Sequence, residues 1–270
     1  MDRPLLLVGC GKMGGAMLEG WLEKGLKAKN IFVIEPNDTV AAEMRERGIG
    51  AVASQADLSD DFDPGIVIFA VKPQMMDAVA PEFSKYVGPN TAYLSIAAGK
   101  TISYFEQKLG TTAAIVRAMP NTPAAVRRGI TVICANANVT LSQRKTCSDL
   151  LESVSEVAWV DDEELIDAVT ALSGGGPAYV FLLTECMTQA GIDAGLPAEL
   201  SAQLARSTVA GSGELMRQSE DSPATLRQNV TSPGGTTAEA LKILMSDAGW
   251  QPLMTKAIAA ATKRSKELAG

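Results

Sequence analysis

Residues 5–14 read LLLVGCGKMG, and this stretch decides the fold. Four apolar residues in a row, too few for a helix, run straight into Gly9-x-Gly11-x-x-Gly14. Behind the glycines, Met17, Leu18, Trp21 and Leu22 recur at helical spacing over Gly14–Lys24. Strand, glycine turn and helix in that order predict a dinucleotide-binding turn. Gly9 permits the tight turn, Gly11 lets a pyrophosphate approach the backbone, and Gly14 lets helix and strand pack closely. A second apolar run, Ile31–Ile34, is stopped by Glu35-Pro36-Asn37. Glu35 lies about 20 residues past the glycines, where a carboxylate can accept hydrogen bonds from an adenosine ribose. Such a carboxylate repels a 2′-phosphate, so Glu35 leans towards NADH rather than NADPH.

The alternation continues outward. Thr39–Arg47 has a helical pattern ending at Gly48, and Ile66–Val71, Tyr93–Ile96, Ala114–Val116 and Ile130–Cys134 read as strands. Continuous Val/Ile runs suit parallel strands covered on both faces. Residues 1–160 are therefore expected to form a Rossmann-type, doubly wound α/β sheet. Three strand-end loops should line its crevice: Ala70-Val71-Lys72-Pro73, Ala97-Ala98-Gly99 and Met119-Pro120-Asn121-Thr122-Pro123. Lys72 can approach cofactor phosphates, the small residues leave room for a flat ring, and Asn121 offers amide donors.

Past Trp159-Val160 almost everything reads as helix, which makes residues 161–270 a second, all-helical domain. Expected helices are Glu163–Leu172, Pro177–Ala194, Ala198–Arg217, Ala224–Gln228, Thr237–Asp247 and Pro252–Leu268, with Gly174-Gly175-Gly176 breaking the first from the second. A domain of about 110 residues is small to stand alone. Met187, Leu204, Leu215 and Met216 exceed what one packing face needs, so a helical dimer is expected. Within this half, residues 229–241 read NVTSPGGTTAEAL. Hydroxyls of Thr231, Ser232, Thr236 and Thr237 surround Pro233-Gly234-Gly235 at a helix start, which makes a cradle for a small carboxylate. Leu172–Ala178 is glycine-rich enough for a close approach. Thr170, just before it, can offer a hydroxyll there or bond its own helix backbone, as mid-helix threonines do.

Composition narrows the chemistry. The 270 residues are 46% hydrophobic and only 5% aromatic, with net charge −7 and no basic run. Neither nucleic acid nor a membrane surface is expected as a partner. There is no histidine, and Cys10, Cys134, Cys147 and Cys186 form no C-x-x-C pair. A metal site and a histidine-activated nucleophile are both excluded on residue types. Scattered cysteines fit a reducing cytoplasm. No signal-peptide pattern is present, and no apolar stretch was expected to reach the ~18 residues that span a bilayer.

With these motifs in order, GCGKMG, AVKP at 70–73, MPNTP at 119–123, DAVTALSGGGPAY at 167–179 and NVTSPGGTTAEAL at 229–241, the chain resembles the pyrroline-5-carboxylate reductase family over nearly its whole length. The resemblance implies reduction of 1-pyrroline-5-carboxylate to L-proline by NADPH or NADH. It also implies a helical domain that dimerises by interlocking and assembles further into decamers. It places Cys10, Gly11, Lys12 and Met13 on the pyrophosphate, and Glu35, Pro36 and Asn37 on the adenosine ribose. Ala70, Val71 and Lys72 would line the cofactor, with Ala98 and Asn121 near its nicotinamide end and Asn229 reaching it from the helical domain. Ser232, Gly235, Thr236 and Thr237 would hold the substrate carboxylate. Glu163 would lie near the ring nitrogen, Thr170 would be the hydrogen-bond donor to it, and Glu220 matches a further acidic position. NADPH-using members of the family often carry a small hydroxyl residue or an arginine where this chain has Glu35.

Three rival functions are a reductase of another cyclic imine, a hydroxyacid dehydrogenase of the same plan, and a non-catalytic dinucleotide-binding dimer. Oxidising an alcohol needs a base, usually His or Lys. This chain has no His, and no Lys from Asp161 to Leu241. A non-catalytic dimer has no use for SPGGTT.

Overall fold

The structure, a computed structural model, describes residues 3–269. In chain order the elements are β1 (Leu5–Val8), α1 (Lys12–Glu23), β2 (Ile31–Ile34), α2 (Asp38–Glu46), β3 (Gly50–Val52), β4 (Ile66–Phe69), α3 (Met76–Val79), β5 (Ala92–Ser95), α4 (Ile102–Leu109), β6 (Ala114–Met119), β7 (Gly129–Ala135), α5 (Leu141–Leu151) and β8 (Ser155–Trp159). Then come α6 (Leu165–Val169), a π-helical turn (Thr170–Gly174), α7 (Gly176–Asp193), α8 (Ala198–Gln218), α9 (Pro223–Asn229), α10 (Thr236–Leu244) and α11 (Trp250–Ala269). Packing divides the chain into two units. One is the chain through Gly174 together with the segment from Thr262; the other is Gly175–Ala261.

In the first unit the strands form one eight-stranded sheet ordered β3-β2-β1-β4-β5-β6-β7-β8. The six strands from β3 to β6 follow the doubly wound order, whose switch point lies between β1 and β4. Alternate residues of β1 face opposite sides, and both sides are core. Leu5 and Leu7 pack with Met17, Leu18 and Trp21 of α1. Leu6 and Val8 pack with Phe69, Phe83, Tyr93 and Phe105. Burial on both faces explains why the strands read as unbroken apolar runs. The Trp21 indole completes its bonding by donating to the Leu150 carbonyl at 2.9 Å, which pins α1 to α5.

Several expectations change. The strand at 130–134 was expected to be parallel, but β7 runs antiparallel to β6, with Val116 opposite Ala135. Its link to β6 is the short Met119–Gly129 segment, and a parallel return needs a crossover of a dozen or more residues. Strands β3 and β8 and helices α4 and α5 were not expected. The break expected at Gly174-Gly175-Gly176 narrows to a bend at Gly175, whose backbone keeps helical dihedrals, between the π turn ending at Gly174 and α7 starting at Gly176 with Pro177 in its first turn. Consequently one helical run, Leu165–Asp193, is long and apolar enough to cross a membrane by length and composition, contrary to the expectation from sequence. Only 11% of its most apolar window is buried.

The division between units falls at Gly174 rather than at residue 160, and the chain's end belongs to the first unit. The reason is packing: Ile166 of α6 is buried with Val132 and Cys134 of the sheet.

The second unit has almost no core of its own. Helices α7, α9 and α10 bury no residue, and α8 buries only Ser201 and Ala205. Helices α7 and α8 pair through small groups, with Ser201 Oγ donating to the Thr188 carbonyl at 2.6 Å beside Gly191. Phe181, Met187, Leu204, Leu215, Met216 and Leu253 are left exposed. Ordering a backbone costs about 1–2 kcal/mol per residue, and a helical unit with so little burial has nothing to offset it. This face needs cover.

Candidate active site

The glycine turn is built from two tight fits and one open position. Gly9 has φ +93°, and a Cβ there would stand 2.7 Å from Val71 Cγ1 and 3.1 Å from the Ala70 carbonyl oxygen. A Cβ on Gly14 would press into the Gly9 carbonyl oxygen. At Gly11 a Cβ would meet nothing within 4 Å, so that side of the turn is free for an incoming group. Gly11 is also the N-cap of α1 and supplies no side-chain cap. The first-turn amides of α1 therefore have no side-chain acceptor, which suits a pyrophosphate. Lys12 and Met13 open that turn, with Lys12 exposed. Burial, then the nearby Glu35 carboxylate, push the Cys10 thiol up to about 11. Cys10 is therefore neutral at physiological pH and adds no negative charge beside the phosphates. The tight fit at Gly14 predicts that Gly14→Val destabilises the unit by about 1–3 kcal/mol, the usual cost of overpacking. Dinucleotide affinity should fall with it, read by fluorescence titration alongside thermal melting. Unchanged affinity and Tm would contradict the close-packing role.

Glu35 is held in place at the mouth of this turn. Its Oε2 accepts from the Cys10 amide at 3.2 Å and its Oε1 from the Asn37 amide at 3.0 Å. The Asn37 side chain is engaged elsewhere: its Oδ1 caps α2 by accepting from the Thr39 and Val40 amides. Pro36 is exposed between them.

Of the other expected cofactor residues, those of the first unit gather along the same sheet edge, at the C-terminal ends of the parallel neighbours β1, β4, β5 and β6, whereas Asn229 lies in the second unit. Ala70 and Val71 pack directly on Gly9 and Gly14, and Lys72 is exposed beyond them. Ala98 is exposed after β5. Asn121 follows β6 but is occupied on both sides of its amide. Its Nδ2 donates to the Ser173 carbonyl at 3.2 Å, and its Oδ1 accepts from the Ile130 amide at 2.9 Å. It thus ties the strand-end loop to the π turn. Met119 reinforces the tie, its Cε lying 2.5 Å from where a Cβ on Gly174 would stand.

Thr170 opens that π turn, the kind of helix irregularity that recurs at functional sites. Its hydroxyl donates to the Ile166 carbonyl at 2.7 Å. Glu163 is fixed by two partners on one oxygen, Arg117 Nη1 at 2.7 Å and the Ile102 amide at 2.8 Å. Arg117 is 4% exposed and was missed in the sequence, although an arginine inside the apolar run Ala114–Met119 was the available signal. A buried guanidinium needs a charged partner, and Glu163 supplies it.

In the helical unit, Gly235 is the N-cap of α10 and again supplies no side-chain cap. Its amide donates to the Ser232 carbonyl at 3.0 Å, which curls the loop over the helix start. Ser232, Thr236 and Thr237 are exposed around it. Thr231 differs, because its hydroxyl donates to the Arg227 carbonyl at 2.6 Å. Asn229 ends α9, and Glu220 is exposed after α8. Ser232, Gly235, Thr236 and Thr237 form an uncapped, hydroxyl-lined helix start with no acidic side chain in the loop, Glu239 being the acidic residue of the first turn that follows.

Comparison with known proteins gives a consistent picture. Residues 163–268 match the family described as pyrroline-5-carboxylate reductase dimerisation, and residues 5–99 match the one described as NADP oxidoreductase, coenzyme F420-dependent. A pyrroline-5-carboxylate reductase of Pseudomonas aeruginosa is 40% identical, over 100% of this chain and 98% of the relative. A solved pyrroline-5-carboxylate reductase from Coxiella burnetii superposes with a TM-score of 0.93 at 33% identity, covering 100% of both chains. A pyrroline carboxylate reductase of Plasmodium falciparum, solved with NADP bound, gives a TM-score of 0.81 at 31% identity, covering 100% of this chain and 99% of the other.

Proposed function

The chain belongs to the pyrroline-5-carboxylate reductase family, and from that premise we propose which of its residues carry each part of the reaction. The enzyme reduces 1-pyrroline-5-carboxylate to L-proline, the last step of proline biosynthesis, with a nicotinamide dinucleotide, and it is a homo-oligomer.

The dinucleotide supplies the hydride that reduces the C=N carbon. In our reading the Gly9–Gly14 turn and the open start of α1 hold its pyrophosphate, with Ala70, Val71 and Lys72 beside them. Glu35 accepts from the adenosine ribose and favours NADH. Ser232, Gly235, Thr236 and Thr237 hold the substrate carboxylate. Thr170 hydrogen-bonds the ring nitrogen, and Glu163 favours the positive charge of the protonated imine. That ring arrives with its proton, so the chain needs no strong general acid. Asn121 supports the π turn that carries Thr170 rather than acting as a free donor.

The observation that carries this assignment is the uncapped start of α10, ringed by three exposed hydroxyls. Ser232→Ala and Thr237→Ala are each expected to raise KM for pyrroline-5-carboxylate about tenfold, the worth of one hydrogen bond to a charged group. KM for the dinucleotide and kcat should change little. Steady-state kinetics with both variants checks this, and an unchanged substrate KM would move the carboxylate site elsewhere.

The finer partners follow from the same premise. We assign the exposed apolar face of Phe181, Met187 and Leu253 to a second copy of the chain, with assembly of dimers into a decamer read by light scattering. An acidic chain with four unpaired cysteines suits the cytoplasm, with neither nucleic acid nor a membrane as partner.

A further inference from the structure

The last part of α11 belongs to the nucleotide unit, and two of its contacts there fall within a turn of Thr170 and beside Ala98. Ser265 Oγ donates to Asp167 Oδ1 at 2.6 Å, and both residues are buried. Asp167 precedes Thr170 by about one turn on the helix that passes into the π turn. One turn further along α11, the Leu268 carbonyl oxygen lies 3.2 Å from where a Cβ on Gly99 would stand. Gly99 has φ +73° and directly follows Ala98. A side chain at residue 99 would be strained in that conformation and would push against the Leu268 carbonyl.

The last turns of α11 are tied to the first unit by a buried hydrogen bond to a carboxyl oxygen, a short and strong type. Burying that polar pair costs desolvation, where an apolar contact would hold α11 at no such cost. What the polar pair adds is direction: it fixes the rotation of α11 and its height along α6, and so where Leu268 meets Gly99.

We infer that the Ser265–Asp167 bond is a positioning device for the reaction, which sets the last turn of α11 as a brace between α6 and the Ala97-Ala98-Gly99 loop. The brace holds Thr170 and Ala98 at a constant separation. Asp167 and Ser265 touch no reactant and act through those two residues. The inference rests on the assignment of Thr170 proposed above and on the place near the nicotinamide end that the resemblance gives Ala98.

The test uses the full-length enzyme with Ser265→Ala, Asp167→Ala, Asp167→Asn, the Ser265→Ala/Asp167→Ala double variant, and Thr170→Ala beside them. Each is assayed well below its Tm. A misplacement at the reacting centre lowers turnover without weakening binding. Ser265→Ala and Asp167→Ala should therefore each lower kcat about tenfold, with both KM values within about twofold of the parent. The double variant should be no slower than either single one, since the two side chains make one interaction. Asp167→Asn keeps the accepting oxygen and should restore kcat to within about twofold of the parent. Should Asp167→Ala fail to fold, Ser265→Ala, which removes a single oxygen, decides alone. A lowered Tm with unchanged kcat in these variants, beside a slow Thr170→Ala, overturns the brace and leaves the assignment of Thr170 intact. Unchanged turnover in Thr170→Ala overturns that assignment and the brace together.

Discussion

Replacing Glu35 with serine is expected to raise kcat/KM for NADPH, relative to that for NADH, by about 100-fold. A like-charge contact costs several kcal/mol, and about 2.8 kcal/mol corresponds to 100-fold. The carboxylate sits at the mouth of the glycine turn, held by the Cys10 and Asn37 amides. Each oxygen accepts one bond there and retains a lone pair for a ribose hydroxyl. A 2′-phosphate brought to the same place meets the negative charge and finds both amides already engaged. Serine removes the charge and leaves those amides to donate to a phosphate. The parent enzyme should accordingly oxidise NADH faster than NADPH at equal low concentrations, followed at the nicotinamide absorbance with pyrroline-5-carboxylate. A parent that prefers NADPH, or a ratio that Glu35→Ser does not move, would remove Glu35 from cofactor choice. The Plasmodium falciparum relative, solved with NADP bound, makes the outcome informative, because that relative takes the phosphorylated dinucleotide.

Thr170→Ala should lower kcat on the order of 10²-fold with little change in either KM, the usual scale for losing one oriented polar contact at a reacting centre. The resemblance casts this hydroxyl as a donor, but in the structure its hydrogen is spent on the Ile166 carbonyl, which leaves it the part of acceptor. The oxygen keeps its lone pairs, and donating makes it a better acceptor. It is thus suited to a protonated ring nitrogen, which arrives carrying a hydrogen to give. The π turn around it is held from outside by Asn121 on Ser173 and by Met119 on Gly174, so the oxygen does not drift with the helix. Thr170→Ser should keep most of the turnover and Thr170→Val should not, since valine has the shape without the oxygen. Equal turnover in parent and Thr170→Ala, measured under saturating substrate, would sink the assignment.

Much of the nucleotide unit was legible because its signals are local. Glycines at 9 and 14 following Leu5–Val8 describe a closely packed turn, and the structure packs Ala70 and Val71 there while Gly11 between them stays open. The start of α5 was equally local and was overlooked: Thr140 and Gln143 form a reciprocal capping box that the sequence spells as T-x-x-Q. Other features had no local signal. Nothing near Glu163 says that its carboxylate meets Arg117, and nothing near Ser265 says that it meets Asp167.

By itself the sequence determined the alternation of strand and helix through the first half, the doubly wound class, the two glycine-led helix starts and the excess of apolar surface in the second half. Each follows from periodicity, glycine placement or composition within about one element's length. Only the tertiary structure decided that β7 turns back antiparallel on β6 and that a π turn carries the chain from α6 up to the glycines that open α7. It alone brought the end of α11 to Asp167 and Gly99. Those outcomes depend on which distant groups share a partner, on how a short link can close, and on a buried charge finding its counter-charge. Such choices are made between segments far apart in the chain, where no residue's own preference can register them.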